Sequence, residues 1–249
     1  MLIDVHTHLD FPQFDSDRKE IVGKASEDGI LIINSGIGPE GIEKTINLIE
    51  KHEGILATLG LSPQEFDSGV IDETIRLIRK YKNRIVGIGE VGLDYYWIKE
   101  PEKRGRGMDN FRRFISLAKE LSLPLVVHSR DAENEMVEEL KAQGIKALLH
   151  CFGGSAELGK KAISFGCLVS IPTSVAYSKR KQELVGEIPL EAMVLESDAP
   201  YLAPTPRERN TPLNIRIAAK KIAEIKGIEY DKVAEITTRN AREFFNLRF

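Results

Sequence analysis

The chain lacks the features of secreted and membrane-spanning proteins. Only two cysteines, Cys151 and Cys167, occur in 249 residues, so no disulfide framework is expected and a reducing compartment fits. No apolar run approaches the roughly 18 residues of a membrane span. Met1 leads directly into a histidine-bearing segment that a targeting peptide would have to replace. We therefore predict a cytoplasmic protein with no membrane partner.

The chain also lacks a surplus of positive charge. Its formal net charge is −3, which argues against a broad basic surface for tight, non-specific binding of duplex DNA. This balance does not exclude an enzyme that holds a few phosphates locally through metal ions. The hydrophobic fraction of 42% is ordinary for a globular protein, so disorder is not expected.

Short apolar or β-branched runs alternate with longer amphipathic ones along the whole chain. The predicted strands are residues 2–8, 30–35, 55–60, 85–90, 125–128, 147–150, 168–170 and 193–198. The predicted helices are residues 18–27, 39–50, 72–80, 110–121, 131–143, 156–164, 179–185, 213–225 and 231–244. Such alternation indicates parallel strands joined by right-handed crossovers. We predict one TIM-type (β/α)₈ barrel domain over residues 1–249, with an open doubly wound sheet as the alternative.

The longest interval between strands contains a mixed-charge segment, residues 99–107, with one proline and two glycines. We predict that this segment is a solvated loop on the side of the barrel where the strands end, with contact to substrate as the alternative.

Histidines are rare, and four of the five lie at predicted strand ends. His6 and His8 are two apart at the end of the first strand, so their imidazoles can project to one side, together with Leu2 and Asp4. His128 and His150 end the fifth and sixth strands. The fifth histidine, at position 52, falls near the end of a predicted helix and is interpreted as a surface residue.

Carboxylates occupy the same position on two further strands. Glu90 ends the fourth strand and Asp198 lies at the end of the eighth. Because the strand C-termini of a parallel barrel meet at one rim, six potential ligands would surround one mouth. Nitrogen and oxygen ligands suit Zn²⁺, Mn²⁺ or Mg²⁺. A carboxylate, either Glu90 or Asp198, can bridge two ions, which predicts a two-metal site and a hydrolytic reaction.

The motifs around these residues resemble the TatD-related DNase family of the metal-dependent amidohydrolase superfamily. They are Ile3-Asp4-Val5-His6-Thr7-His8-Leu9-Asp10, Gly89-Glu90-Val91-Gly92-Leu93-Asp94-Tyr95-Tyr96, Val127-His128-Ser129-Arg130-Asp131-Ala132, His150-Cys151-Phe152-Gly153-Gly154 and Leu195-Glu196-Ser197-Asp198-Ala199-Pro200-Tyr201-Leu202. The resemblance spans the chain and implies a TIM-type barrel and a metal-dependent deoxyribonuclease. The expected partner is DNA, single-stranded or end-recessed, with no obligate protein partner.

The resemblance also implies roles for individual residues. His6, His8, Glu90 and Asp198 would hold one ion, and Glu90, His128 and His150 the second, with Glu90 as the bridge. As catalytic residues, Glu90 would hold both ions and Asp198 would orient or deprotonate the attacking water.

One segment departs from the family pattern. Where the family commonly has Gly-x-His-Pro-His, this chain has Gly60-Leu61-Ser62-Pro63-Gln64. The metal ligands are unaffected, but a hydroxyl and an amide replace two imidazoles that could bind phosphate or assist the leaving group. Hydrolysis of a small amide, lactone or ester is therefore the alternative function, and a non-enzymatic metal-bound scaffold is a lesser one.

Other polar residues near the strand ends are candidates for supporting roles. Glu196 and Asp4 are expected to accept the second N–H of ligand imidazoles or to form internal salt bridges. Arg130, just past a ligand strand, can bind phosphate or pair with a loop carboxylate. Asn210, after the eighth strand, is predicted to contact substrate. Tyr95 and Tyr96 fit either base stacking or barrel packing.

Overall fold

Eight parallel strands close into a barrel in chain order in the computed structural model, which describes residues 1–248. The strands are β1 (Leu2–Thr7), β2 (Ile30–Ile37), β3 (Ile55–Gly60), β4 (Gly87–Asp94), β5 (Leu125–Arg130), β6 (Ala147–Leu149), β7 (Leu168–Pro172) and β8 (Met193–Glu196). Pairing of β1 with β8, through Asp4 and Leu195, completes the closure. The predicted TIM-type barrel is confirmed, and the open sheet is excluded.

Helices cover the outside of the barrel. They are α1 (Arg18–Glu27), α2 (Gly38–Lys51), α3 (Ser68–Tyr81), α4 (Pro101–Leu121), α5 (Glu133–Ala142), α6 (Ala156–Ser164), α7 (Lys179–Glu187), α8 (Ile215–Lys226) and α9 (Tyr230–Phe244). Their apolar faces pack on the strands in one continuous core. No helix in the described part of the chain is both long enough and apolar enough to cross a membrane.

The prediction of a loop over residues 99–107 was wrong from Pro101 onward, because α4 begins there. Proline suits the first helical position, where its missing N–H costs no hydrogen bond, and Glu102 follows in the first turn, where negative charge is favourable. The side chain of Arg104 then ties the helix start back to the chain by donating to the carbonyl oxygen of Ile98.

The two ends of the barrel interior differ in chemistry. Near the N-terminal ends of the strands, Ile3, Val5 and Val126 pack with Phe245, which follows α9. This apolar plug closes the end opposite the strand C-termini. The polar residues of the interior therefore lie at the C-terminal end, hereafter called the mouth.

Two strands contain an extra residue where ligand candidates lie. The pairing of β1 with β2 shifts between Asp4 and Thr7, and the pairing of β4 with β5 shifts between Ile88 and Val91. Leu2 packs toward the helices, whereas Ile3 and Val5 pack inside the barrel, so regular alternation would point His6 outward. The bulge reverses the alternation and brings His6 inside. The predicted common face of Leu2, Asp4, His6 and His8 is therefore wrong.

Candidate metal centre

All six predicted ligands lie together at the mouth, although not all of them end a strand. His6 is in β1 and His8 directly follows it. Glu90 and His128 lie inside β4 and β5, which continue to Asp94 and Arg130, beyond the predicted ends. His150 directly follows β6, and Asp198 lies two residues after β8.

The two carboxylate oxygens of Glu90 face different histidines. Its Oε2 lies 3.3 Å from Nε2 of His6 and 3.6 Å from Nε2 of His8. Its Oε1 lies 2.7 Å from Nδ1 of His128 and 4.0 Å from Nε2 of His150. This divided arrangement is the one a bridging carboxylate requires, with one oxygen for each of two neighbouring cations.

Asp198 faces His6, His8 and His150 from the other side of the barrel. Its Oδ1 lies 3.7 Å from Nε2 of His6, 3.8 Å from Nε2 of His8 and 3.9 Å from Nε2 of His150. The side chain of Asp198 is 13% exposed, against 9% for Glu90. It is therefore the carboxylate of the pair with more access to the mouth.

Close approach of the backbones puts Glu90 in place. A Cβ at Gly60 would lie 2.2 Å from the carbonyl oxygen of Glu90, and a Cβ at Gly92 would lie 2.0 Å from that of His128. Gly92 also has a φ of 148°, which residues with side chains rarely adopt. The glycines let β3, β4 and β5 pack this tightly, and the backbone N–H of Glu90 donates to Oγ of Ser35 at 3.0 Å.

The protein sets the orientation of His8 and His150 through their Nδ1 atoms. Nδ1 of His8 lies 3.0 Å from the carbonyl oxygen of Ser35, an acceptor only, so Nδ1 carries the proton. Nδ1 of His150 lies 2.8 Å from Oε2 of Glu196, which also accepts from Ser170 at 2.6 Å. Both rings are thereby left with Nε2 directed at the cluster, as metal-binding histidines require.

The prediction for Asp4 was wrong. Its Oδ1 accepts from the backbone N–H of Ser197 at 2.8 Å and its Oδ2 accepts from the Ser197 hydroxyl at 2.5 Å. Asp4 contacts the backbone N–H of His6 but not its ring, because the bulge in β1 places Asp4 and the imidazole on different faces. Asp4 therefore joins β1 to the segment after β8, and Nδ1 of His6 is buried without a partner in residues 1–248.

Asp94 has a role at His128 that the sequence interpretation missed. Its Oδ2 lies 3.2 Å from Nε2 of His128, while its Oδ1 accepts from the backbone N–H of Trp97 at 3.0 Å. Burial opposes a charge on His128, but the hydrogen bonds to Asp94 and Glu90 outweigh it and raise the pKa of His128 to about 10. A signal was present in the sequence, since residues 90 and 94 are four apart and share a face of a strand.

The electrostatics of the cluster fit cation binding. Burial, and after it the neighbouring His6, lowers the pKa of His8 to about 3, so its ring is neutral and able to coordinate. Burial raises the pKa of Asp198 to about 8; His6 opposes that shift, and the Glu196 and Glu90 carboxylates add to it. Protons on His128 and Asp198 thus offset the negative charge of the buried acidic cluster, and bound divalent cations would offset it in the same way. The donor set, imidazole nitrogen and carboxylate oxygen, suits such ions.

The remaining site candidates lie in different environments. Arg130 is exposed at the mouth, with its guanidinium 3.7 Å from the centre of the Tyr96 ring. Asn210 is fully buried, and its amide donates to Thr173 and to the carbonyl oxygen of Ser197. The structure therefore does not bring Asn210 to the open mouth, because its side chain joins loops beneath it. Tyr95 is buried against Arg104, whereas Tyr96 is exposed.

A closed parallel barrel with four histidines and two acidic side chains together at its mouth is the architecture of a metal-dependent hydrolase. The TatD related DNase family model matches residues 3–246, and the chain belongs to that family.

Named relatives agree with this class. The uncharacterized metal-dependent hydrolase YabD of Bacillus subtilis is 34% identical over 99% of this chain and 100% of that protein. Deoxyribonuclease TATDN3 of Homo sapiens is 37% identical over 98% of this chain and 94% of that protein. The crystal structure of YJJV, a TatD homologue from Escherichia coli, superimposes with a TM-score of 0.90 over 99% of this chain and 98% of that one, at 23% identity, and supports the fold. The relatives and the cluster together indicate that this chain binds divalent metal.

Proposed function

We propose that the chain is a two-metal deoxyribonuclease that hydrolyses phosphodiester bonds in single-stranded or end-recessed DNA. The observation that carries the proposal is the position of Glu90, whose two oxygens face separate groups of histidines. In the proposed assignment, His6, His8, Glu90 and Asp198 hold one ion, and Glu90, His128 and His150 hold the other. The family match and the deoxyribonuclease relative support DNA as the substrate.

The bound ions, which we propose to be Mg²⁺, Mn²⁺ or Zn²⁺, supply positive charge that activates water at neutral pH and offsets charge on the phosphate. The chain's own residues accept the proton, orient the ligand rings and bind the phosphate. Asp198 lies at the mouth, where its carboxylate can accept a proton from the attacking water. Glu196 and Asp94 hold the His150 and His128 rings in fixed orientations. Arg130 has no ion pair in residues 1–248 and is free to bind a phosphate.

The proposal is tested by removing metal with a chelator, restoring Mg²⁺, Mn²⁺ or Zn²⁺ separately, and following nucleotide release from single-stranded DNA. We expect release with at least one ion. Glu90→Gln should lower it by more than the roughly 10–100-fold typical of losing an outer metal-site partner. Glu53→Gln, an isosteric change at an exposed residue after α2, is the matched control and should leave release unchanged.

A second candidate function, hydrolysis of a small amide, lactone or ester, is favoured by Ser62 and Gln64, which stand where the family commonly has histidines. The structure shows Oγ of Ser62 accepting from the backbone N–H of Gln64 at 3.3 Å, in the turn after β3. The same enzyme preparations should be tested on a panel of such substrates. Glu90-dependent turnover of one of them, with DNA left intact under every ion, would replace the nuclease proposal.

A further inference from the structure

Large aromatic side chains are exposed on one face of the molecule. Tyr96, Trp97, Tyr177 and Tyr201 are between 43% and 61% exposed. Each follows the C-terminal end of a strand, β4, β7 or β8, and so lies at the mouth. Within residues 1–248, no aromatic side chain of the helices is comparably exposed. If exposed aromatic side chains were simply tolerated anywhere on the surface, they would be expected on the helices as well.

Two of these aromatic groups lie on opposite sides of the metal site. Trp97 packs edge to face on Tyr96, with ring centres 4.9 Å apart, in the segment after β4. Tyr201, after β8, lies 6.4 Å from Phe11, whose ring stacks on His8 at 4.7 Å. Strands β4 and β8 are four apart in a closed ring of eight, so the two groups face each other across the mouth. Glu90 and Asp198 come from the same two sides of the barrel.

Two arginines near the mouth have no ion pair in residues 1–248. Other arginines are paired with carboxylates: Arg79, Arg112 and Arg113 on α3 and α4, and Arg209 after β8, which pairs with Asp17. Arg130, which lies over the Tyr96 ring, makes no ion pair in the described chain, and neither does Arg180 at the start of α7. Because the whole chain has a net charge of −3, these cations do not reflect a general positive surplus.

We infer that the mouth holds an unpaired DNA strand across the barrel from the β4 side to the β8 side. One base stacks on Trp97, the base beyond the scissile phosphate stacks on Tyr201, and Arg130 binds the phosphate beside Trp97. Every base has a face that can stack on an aromatic ring, whereas bases inside a duplex already stack on each other. This inference rests on the proposed nuclease function and names the residues that determine its preference for single strands.

Trp97 is the only tryptophan of the chain, so its fluorescence reports directly on the β4 side. The full-length protein is titrated with a phosphorothioate-linked oligothymidylate, which resists cleavage, and with an abasic oligomer of the same length and linkage. We expect the oligothymidylate to quench Trp97 fluorescence and to bind about tenfold or more tightly than the abasic oligomer. Equal affinities with unchanged fluorescence would overturn the inference.

Substitutions separate stacking from phosphate binding, with affinity followed by anisotropy of a labelled oligomer. Trp97→Leu and Tyr201→Leu should each weaken oligothymidylate binding about tenfold without changing the binding of the abasic oligomer. Trp97→Phe, which keeps an aromatic ring, should retain most of the original affinity. Arg130→Gln should weaken the binding of both oligomers. It should also lower the slope of log affinity against log salt concentration by about one, because one phosphate contact is lost. Tyr81→Leu and Lys220→Gln, on α3 and α8, are the matched controls and should change neither affinity.

The stacking sites and the nuclease function can be refuted separately by the binding and cleavage experiments. Base-dependent binding without metal-dependent DNA cleavage would support the stacking sites and refute the nuclease function. DNA cleavage with a KM that Trp97→Leu and Tyr201→Leu do not raise would refute the stacking sites and leave the nuclease function in place. Under the inference, both substitutions raise the KM for single-stranded DNA about tenfold and leave kcat within about twofold.

Discussion

At the scale of single residues, the chemistry of the site depends on which imidazole nitrogen carries a proton. Ser35, Glu196 and Asp94 each take one ring nitrogen of a histidine, at 3.0, 2.8 and 3.2 Å. The other nitrogen of each ring then faces the cluster. Asp94 differs from the other two because it also caps the backbone N–H of Trp97, so it connects a ligand candidate with the exposed aromatic segment.

We predict that Asp94→Asn lowers metal affinity roughly 10–100-fold, because an amide no longer favours a proton on Nε2 of His128. Metal affinity is measured by calorimetry on the full-length protein. Asp131→Asn, at an exposed carboxylate just after β5, is the control. If Asp94→Asn and Asp131→Asn both bind metal as tightly as the original protein, Asp94 does not position His128.

At the scale of secondary-structure elements, the site depends on the close approach of β3, β4 and β5. The bulge at Gly89 and Glu90 puts one extra residue in β4, and Gly60 leaves room for the carbonyl oxygen that it displaces. Bulges re-aim side chains near active sites at the cost of regular pairing. Here the bulge decides that Glu90 points into the mouth.

We predict that Gly60→Ala destabilises the fold by about 1–3 kcal/mol, because the new methyl group would lie 2.2 Å from the backbone oxygen of Glu90. Gly105→Ala, in α4, is the matched change, since nothing lies within 4 Å of its added Cβ. It should stabilise by about 0.4–1 kcal/mol. Chemical denaturation measures the free energy of unfolding of both variants. Equal changes in the two would contradict the role given to Gly60.

At the scale of the whole molecule, the site concentrates buried charge that the fold must compensate. Burial raises the pKa of Asp198, while hydrogen bonds from His128 and His6 overcome burial and hold the pKa of Glu90 well below its ordinary value. Strands β1, β4, β5, β6 and β8 supply this cluster, so a cation bound there stabilises the closed barrel as a unit.

We predict that a divalent ion at about 100 times its dissociation constant stabilises the protein by about 2.7 kcal/mol, because the ion binds only the folded chain. For a chain of this size the melting temperature should rise by roughly 5–10 °C. Calorimetric scans with metal and with chelator measure the shift. Glu90→Gln should abolish most of it and Glu53→Gln should retain it; a shift that survives Glu90→Gln would place the ion elsewhere.

The sequence alone was sufficient for the barrel, the family and the set of six side chains at the mouth. The barrel follows from the alternation of strands and helices, the six side chains from the residue types at or near strand ends, and the family from the resemblance of the motifs around them. The cytoplasmic location and the absence of an obligate protein partner stay predictions.

Only the tertiary structure decided the side chains' directions and partners. Regular alternation would have pointed His6 outward on the same face as Asp4, but the β1 bulge turns His6 into the barrel and leaves Asp4 bound to Ser197. Asn210 follows β8 in sequence yet is fully buried, because its amide joins the segments that follow β7 and β8. The physical reason is the same in each case. A bulge or a buried hydrogen bond forms only when separate strands pack together, and no single segment of the sequence contains that information.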